Sequence, residues 1–403
     1  MFFHDDPELT KHGYFLVNGI KTFSKFEAWQ MSGKDMSKIQ FIFNDDLFSN
    51  YDWTIEPKED IYELYRRRAE QLRRDYDYIV VVYSGGIDSH TMLETFLQNN
   101  IKVDEICTFI NAELGESDKK FNQEIFNAAI PFVKSLDLKK LGTEFRLIDI
   151  GKIIVDQLSD EYHFENLEHH GMIHTFWKTA VSSYKLKASI PKHLNLINQG
   201  KKVCYIWGHD KPNITVVDNH YCLYIPDGFM GFRAQQYINR VDLKNKFDNF
   251  YDEMFYTCRE GLDITVKQGH MLVNLMKTMT SDDDRLKPLR EITIWGPYVE
   301  YQPGKWLSKS TVDQCIYPRA IISMFENDKL FRGSRIFSGK DKWFYDSNHP
   351  NKDKFVQKIK QIVKDNQEFF RYRPRDPANL AGEKFLFGVN FIRSRYYQLS
   401  PVN

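Results

Sequence analysis

A chain of 403 residues with 42% hydrophobic and 15% aromatic content carries enough apolar surface for a large core, which excludes a disordered or low-complexity protein. Lysine plus arginine and aspartate plus glutamate balance at 55 each, so no global field draws the chain onto nucleic acid, and a nucleic-acid partner has no support from net charge. Cys107, Cys204, Cys222, Cys258 and Cys315 are scattered without a CxxC pair, no apolar run reaches about 18 residues, and the start MFFHDDPELTKHG is acidic. These features argue against a disulfide framework, an iron–sulfur cluster, a membrane span and a signal peptide, and the expected compartment is the reducing cytoplasm.

Residues 1–56 read as a small β-containing lead-in. Asn18-Gly19, flanked by apolar residues from Tyr14 to Phe23, is a hairpin signal, and Ser24 with Glu27 three residues later predicts a capped helix start. Position 2 is Phe, so the N-terminal cysteine of glutamine amidotransferases is missing. Over 57–225 the pattern becomes that of a nucleotide-binding domain. Ile61, Leu64, Tyr65, Ala69 and Leu72 share one helical face, and Ile79 to Val82 form an unbroken apolar run, as in a strand buried on both faces. Further strands are expected at Glu105–Ile110, 144–150 and 202–207, with a helix around 122–136 and mostly helical sequence over 151–200. The alternation predicts an α/β fold with a doubly wound parallel sheet. Residues 226–403 read as a mixed α+β accessory region, rich in aromatics, with helical patterns near 246–258, 266–279 and 353–370, which should lie over the crevice and select a second substrate.

The stretch with the most chemical content is Ser84-Gly85-Gly86-Ile87-Asp88-Ser89, between the buried strand and a helix read from His90 onward. Adjacent glycines let the backbone point several N–H groups at one spot, the helix start adds partial positive charge, and Ser84 and Ser89 add hydroxyl donors; together they make an anion site. Asp88 is discordant beside a phosphate unless a divalent cation lies between them, which implies Mg²⁺. Gly208-His209-Asp210-Lys211-Pro212 follows another strand end and should face the same crevice. There Asp210 is a second candidate Mg²⁺ ligand, and Lys211 a candidate to offset charge on a leaving pyrophosphate. His163, His169, His170 and His174, the Lys267–His270 run and the two arginine clusters (Arg66, Arg67, Arg68, Arg73, Arg74; Arg371, Arg373, Arg375) read as ordinary polar surface, and Cys204 as an inert core thiol.

The SGGxDS pattern resembles the PP-loop of the N-type ATP pyrophosphatases, a superfamily that includes asparagine and GMP synthetases and tRNA-lysidine synthetase. The resemblance covers about residues 76–225. The order Trp177-Lys178, Lys185, Pro191, strand, glycine loop is similar to the PAPS reductase branch, although that branch's ECGIH cysteine motif is missing; the whole is more like the PP-loop proteins of bacteriophages and bacteria labelled adenine nucleotide alpha-hydrolase-like. The resemblance implies the HUP fold and binding of ATP and Mg²⁺. It also implies cleavage of ATP between its α and β phosphates to adenylate an unidentified small-molecule or nucleobase substrate. Ser84, Gly85, Gly86, Asp88, Ser89, Asn111 and Gly208 would then hold the nucleotide, Asp88 and Asp210 the metal, and Asp88, Asp210 and Lys211 would serve catalysis. Asn111 and Glu113 fall where related enzymes place residues near the adenosine or second substrate. Sulfonucleotide binding or reduction, and a non-catalytic nucleotide-binding subunit of a nucleic-acid modification or defence system, are the alternative expectations; homo-oligomerisation is left open.

Overall fold

The protein is seen in a computed structural model that describes residues 2–110, 125–149, 161–169, 190–208, 212–227, 249–279, 286–288, 300–302, 305–307, 315–317, 351–374, 384–389 and 391–402. The first lobe contains α1 (Pro7–Thr10), α2 (Lys25–Met31) and α3 (Asp45–Phe48) with a three-stranded antiparallel sheet of β1 (Tyr14–Val17), β2 (Ile20–Thr22) and β3 (Gln40–Ile42). β1 and β2 form the expected hairpin: Asn18 and Gly19 both take positive φ (50° and 80°), the geometry a tight two-residue turn requires. Ser24 caps α2 by accepting from Glu27 N at 3.1 Å. Glu27 does not return the bond to Ser24; its carboxylate instead accepts from Phe2 N at 3.2 Å and from the Thr22 hydroxyl, so it fixes the start of the chain rather than closing a capping box.

Five strands make one parallel sheet: β4 (Tyr78–Val82), β5 (Glu105–Ile110), β6 (Glu144–Asp149), β7 (Val203–Trp207) and β10 (Phe250–Met254), in spatial order β10-β7-β4-β5-β6. Every residue of β4 and β7 is buried, which accounts for their unbroken apolar sequences. The chain adds β5 and β6 on one side of β4, then returns to add β7 and β10 on the other, so the order reverses between β4 and β7. Helices lie on both faces. On one, α4 (Ile61–Asp75) and α5 (Ile87–Gln98) pack together, with Arg68 of α4 bonded to Glu253 of β10 and Phe96 of α5 against Phe255. On this face too, α6 (Ile130–Ser135) presents Phe132 to Tyr83 and is followed by α7 (Leu138–Leu141). On the other, α9 (Pro191–Asn198), which follows α8 (Glu161–Glu165), sets His193 against Glu105 and Tyr205. The arrangement fits the doubly wound α/β expectation.

The fifth strand corrects the helix expected near 246–258: residues 250–254 pair in parallel with β7 over their whole length. Phe250, Tyr251, Met254 and Phe255 recur at helical spacing. The strand's own period is hidden because two acids are buried by partners. Asp252 accepts from Trp207 Nε1 at 2.9 Å, and Glu253 meets Lys11 at 2.8 Å and Arg68 at 2.9 Å. The expected helix over 266–279 is α10 (Leu262–Lys277), and that over 353–370 is α11 (Lys352–Asp365).

Smaller sheets surround this layer. β8 (Asn213–Val217) and β9 (His220–Tyr224) form a hairpin through Asp218 and Asn219, both at positive φ, and β16 (Tyr397–Pro401) joins β9. β11 (Leu286–Pro288), β12 (Glu300–Gln302) and β13 (Lys305–Leu307) form another sheet, and β14 (Phe370–Pro374) pairs with β15 (Lys384–Val389). One core cluster runs from Phe15 and Trp29 through the parallel sheet to Tyr397 and Leu399. The buried Lys25 and Asp227 form an ion pair, and Asp227 also accepts from Ile392 N at 2.9 Å, which ties α2 to the segments after β9 and before β16. Among the described residues, no helix is long and apolar enough to cross a membrane.

Candidate functional site

In an open parallel sheet the loops at the carboxyl ends of the two strands flanking the order reversal part to opposite sides and leave a crevice. Here those loops are Tyr83–Gly86, after β4, and the residues from Gly208 onward, after β7. Tyr83 is clamped to β5 by Tyr83 N to Cys107 O at 2.8 Å and Thr108 Oγ1 to Tyr83 O at 2.8 Å, so the turn begins from a rigid strand end.

Gly85 takes φ +78°, and a Cβ there would lie 2.9 Å from Ala129 N. That atom belongs to a single π-turn, Ile125–Ala129, leading into α6, so the loop curls tightly against backbone from behind. Gly86 caps α5, which starts at Ile87, so Asp88 and Ser89 lie inside the first helical turn rather than before a helix that begins at His90. Ser84 N donates to Ser89 Oγ at 3.2 Å, the two hydroxyls lie 3.1 Å apart, Ser89 Oγ donates to Gly86 O at 3.0 Å, and Gly86 N donates to Ser84 Oγ at 3.3 Å. Ser89 is buried and its proton is committed to Gly86 O, so it shapes the loop instead of standing as an open donor; Ser84 is exposed. Ser84 N and Gly86 N are thus turned onto hydroxyls within the loop, and the cradle offered to an oxyanion is that of the remaining main-chain amides at the start of α5.

Gly208 completes the cradle. A Cβ on it would lie 3.0 Å from both Asp88 O and Ser89 Cα, so the β7 loop crosses the first turn of α5 backbone to backbone. No protein-family model matches the sequence, and no curated protein does.

Behind the cradle lies an aromatic shelf that sequence reasoning missed. Tyr256, just beyond β10, donates its hydroxyl to Asp88 O at 2.7 Å. The Tyr65, Tyr256 and Tyr317 rings are mutually packed with centroids 5.4, 5.4 and 6.5 Å apart. Burial, reinforced by the nearby Asp88 charge, holds the Tyr317 hydroxyl far above the ordinary phenol range; Tyr256 is raised by burial, with Tyr65 and Asp88 adding to it. Both phenols therefore stay protonated and able to donate. Asp88 is half-buried, with its Oδ1 sealed from solvent. In the second turn, His90 is buried between the Tyr83 hydroxyl, 3.0 Å from Nδ1, and the Phe132 ring.

The structure brings Ser84, Gly85, Gly86, Asp88, Ser89 and Gly208 together. Asn111, Glu113, Asp210 and Lys211 lie outside the described residues, as do His170, His174 and the side chain of His163. His169 shares a 2.7 Å hydrogen bond with Ser24 and packs on Phe2, an interior role. The Lys267–His270 run is not surface: Lys267 bonds Glu56 at 2.8 Å, Gln268 donates to Tyr65 at 2.8 Å, and His270 meets Trp53 O at 2.9 Å. Nor is the first arginine cluster an open basic patch, since Arg66 and Arg67 pair with Glu63, Arg68 with Glu253 and Arg73 with Asp104. Cys204 is fully buried, and burial pushes its thiol well up. Among the described residues, no group of three or more His, Cys, Asp or Glu side chains is placed to hold a metal ion. A cation here fits only as Mg²⁺ does in phosphate sites, on one or two carboxylates with the remaining ligands from phosphate and water. Asp88 beside the amide cradle suits that donor set.

Proposed function

We propose that this chain is a PP-loop enzyme of the HUP fold class that binds ATP with Mg²⁺ and cleaves it between the α and β phosphates, transferring AMP to an acceptor and releasing pyrophosphate. The observation that carries the reading is the position of the Ser84–Ser89 loop. It is an amide cradle at the start of α5, at the order reversal of a parallel sheet, tightened on two sides by glycines that admit no Cβ without displacement of backbone.

In this reading the amides at the start of α5 and the Ser84 hydroxyl bind the pyrophosphate portion, while Ser89 and the amides of Ser84 and Gly86 hold the loop's shape. Asp88 is the carboxylate for Mg²⁺, which supplies charge neutralisation on the phosphate oxygens when bound. Asp210 and Lys211 follow Gly208 by two and three residues, and the proposal gives them the second carboxylate and the cation that offsets leaving-group charge. The acceptor is an oxygen nucleophile of a small molecule or nucleobase.

The test is incubation of the full chain with ATP labelled at the α-phosphate and Mg²⁺, with AMP resolved from ADP. AMP with pyrophosphate, lost in Asp88→Ala while the fold persists by circular dichroism, is the expected result. Formation of ADP alone, or no change in ATP across a panel of carboxylate and nucleobase acceptors, overturns the reading.

A further inference from the structure

The loop is bracketed by two polar residues that the functional reading leaves unused. Tyr83 precedes it and His90, the fourth residue of α5, follows it, and both are buried. The Tyr83 hydroxyl and His90 Nδ1 lie 3.0 Å apart, so one side-chain hydrogen bond spans residues 84–89 and closes them into a ring. His90 Nε2 faces Glu94 Oε1 at 3.4 Å; an acceptor on that side favours the tautomer with its proton on Nε2, which leaves Nδ1 to accept from the phenol. Burial, with Glu94 adding to it, raises Tyr83 above the ordinary phenol range, so the donor stays protonated. Both ends of the bond are fixed from outside. Tyr83 is held to β5 through Cys107 O and Thr108 Oγ1, and His90 N donates to Gly86 O at 2.8 Å in the first bond of α5. Phe132 of α6 packs on both rings, with centroids 5.8 Å from Tyr83 and 4.6 Å from His90, and Ala129 just before α6 backs Gly85. Apolar side chains would fill this interior without the cost of burying a hydroxyl and an imidazole.

We propose that Tyr83 and His90 are positioning residues for the nucleotide cradle: their hydrogen bond ties the strand end before the loop to the helix after it, and so holds the main-chain amides at the start of α5 in the arrangement that takes the phosphates. The proposal rests on the ATP·Mg²⁺ reading. A loop with two adjacent glycines has many accessible conformations, and an anion that must order them on arrival binds more weakly. The bonds among Ser84, Gly86 and Ser89 shape the loop from within, whereas the Tyr83–His90 bond fixes its two ends against each other. Both side chains are too deeply buried to touch the nucleotide, so they act through the loop alone.

The probe is α,β-methylene-ATP with Mg²⁺, which cannot be cleaved between the α and β phosphates, titrated calorimetrically into the full chain. Tyr83→Phe and His90→Leu should each raise its dissociation constant about five- to tenfold, the scale of one lost buried hydrogen bond. The Tyr83→Phe/His90→Leu pair should bind no worse than the weaker single variant, because both substitutions remove the same bond. His90→Asn separates positioning from packing: its side-chain amide keeps an acceptor near the place of Nδ1 but gives up the ring packed on Phe132. It should bind the analogue within about threefold of wild type even where its unfolding temperature falls below that of His90→Leu. Tyr78→Phe is the control for general destabilisation: it removes a buried phenol bonded to the Glu105 carboxylate at the opposite end of β4 and should leave affinity unchanged. Unchanged affinity in Tyr83→Phe, a loss that Tyr78→Phe reproduces, or binding by His90→Asn as weak as by His90→Leu overturns the positioning role, while binding by the wild type still upholds the nucleotide reading. A wild-type chain that binds no analogue overturns both.

Discussion

Gly85→Ala tests whether the loop is shaped by close backbone approach or only by a left-handed residue, because the fold contains its own reference. Gly85 and Gly200 share the same φ, +78°, but a Cβ on Gly85 would lie 2.9 Å from Ala129 N and 3.1 Å from Ala129 Cβ, whereas Gly200 has nothing within 4 Å. The left-handed conformation costs an L-residue about 1–2 kcal/mol, in part offset by the reduced freedom of the unfolded alanine chain, so Gly200→Ala should cost about 1 kcal/mol. Gly85→Ala bears that cost and must also displace the π-turn backbone or the loop, which adds about 1–3 kcal/mol on the scale of overpacked interiors. Urea unfolding followed by tryptophan fluorescence measures both. The expected outcome is a Gly85→Ala loss larger than the Gly200→Ala loss by about 1–3 kcal/mol. Equal losses would mean that the loop relaxes away from Ala129 at no cost, and the argument for a rigid cradle would fail.

Three further outcomes are expected. Hydrogen bonds from His193 and Arg146 outweigh burial and hold the Glu105 carboxyl at about 2, below its ordinary 4.5, so its contribution is complete above about pH 4.5 and is lost as pH falls toward 2; that part of acid destabilisation, about 3 kcal/mol, should vanish from urea titrations of Glu105→Gln. Lys25→Met should cost about 3–5 kcal/mol by stranding Asp227, whose carboxyl burial already pushes up, while Lys25→Met with Asp227→Leu should recover most of the loss in thermal unfolding. Burial raises Cys107 and Cys204 far above the usual thiol range, Cys258 to about 12 and Cys315 to about 11, so at pH 8 a thiol reagent should be inert toward the first three and react slowly, if at all, with the half-buried Cys315 until urea opens the fold.

The parallel sheet was legible wherever burial was complete and apolar. Ile79–Val82 and Val203–Ile206 have no exposed residue to interrupt them, and the alternation of such runs with helical periods gives the winding directly. The loop was legible because glycines, serines and an aspartate in that order have few other uses between a strand and a helix. Gly208 could be assigned to the same crevice because both loops leave strand carboxyl ends, and its close approach to Asp88 and Ser89 follows from that geometry. The fifth strand was hidden for the opposite reason. Asp252 and Glu253 look like solvent-facing residues of a helix until Trp207, Lys11 and Arg68 are known to be their partners, and those partners come from three distant segments.

The same limit applies at the site, with a consequence for how Asp88 is understood. From sequence alone, a carboxylate in an anion loop appears as an unfavourable charge that only a cation could justify. In the fold the helix start offsets part of that cost. Asp88 occupies the first turn of α5, where the helix dipole favours negative charge, and Tyr256 donates to its main-chain carbonyl. Around it Tyr65, Tyr256, Tyr317 and Gln268 bond or pack together and reach the Asp88 carbonyl through Tyr256, residues with no motif among them. Their separation, from position 65 to position 317, is why no local pattern announces them, and it is the fold around the parallel sheet that gathers them behind the loop.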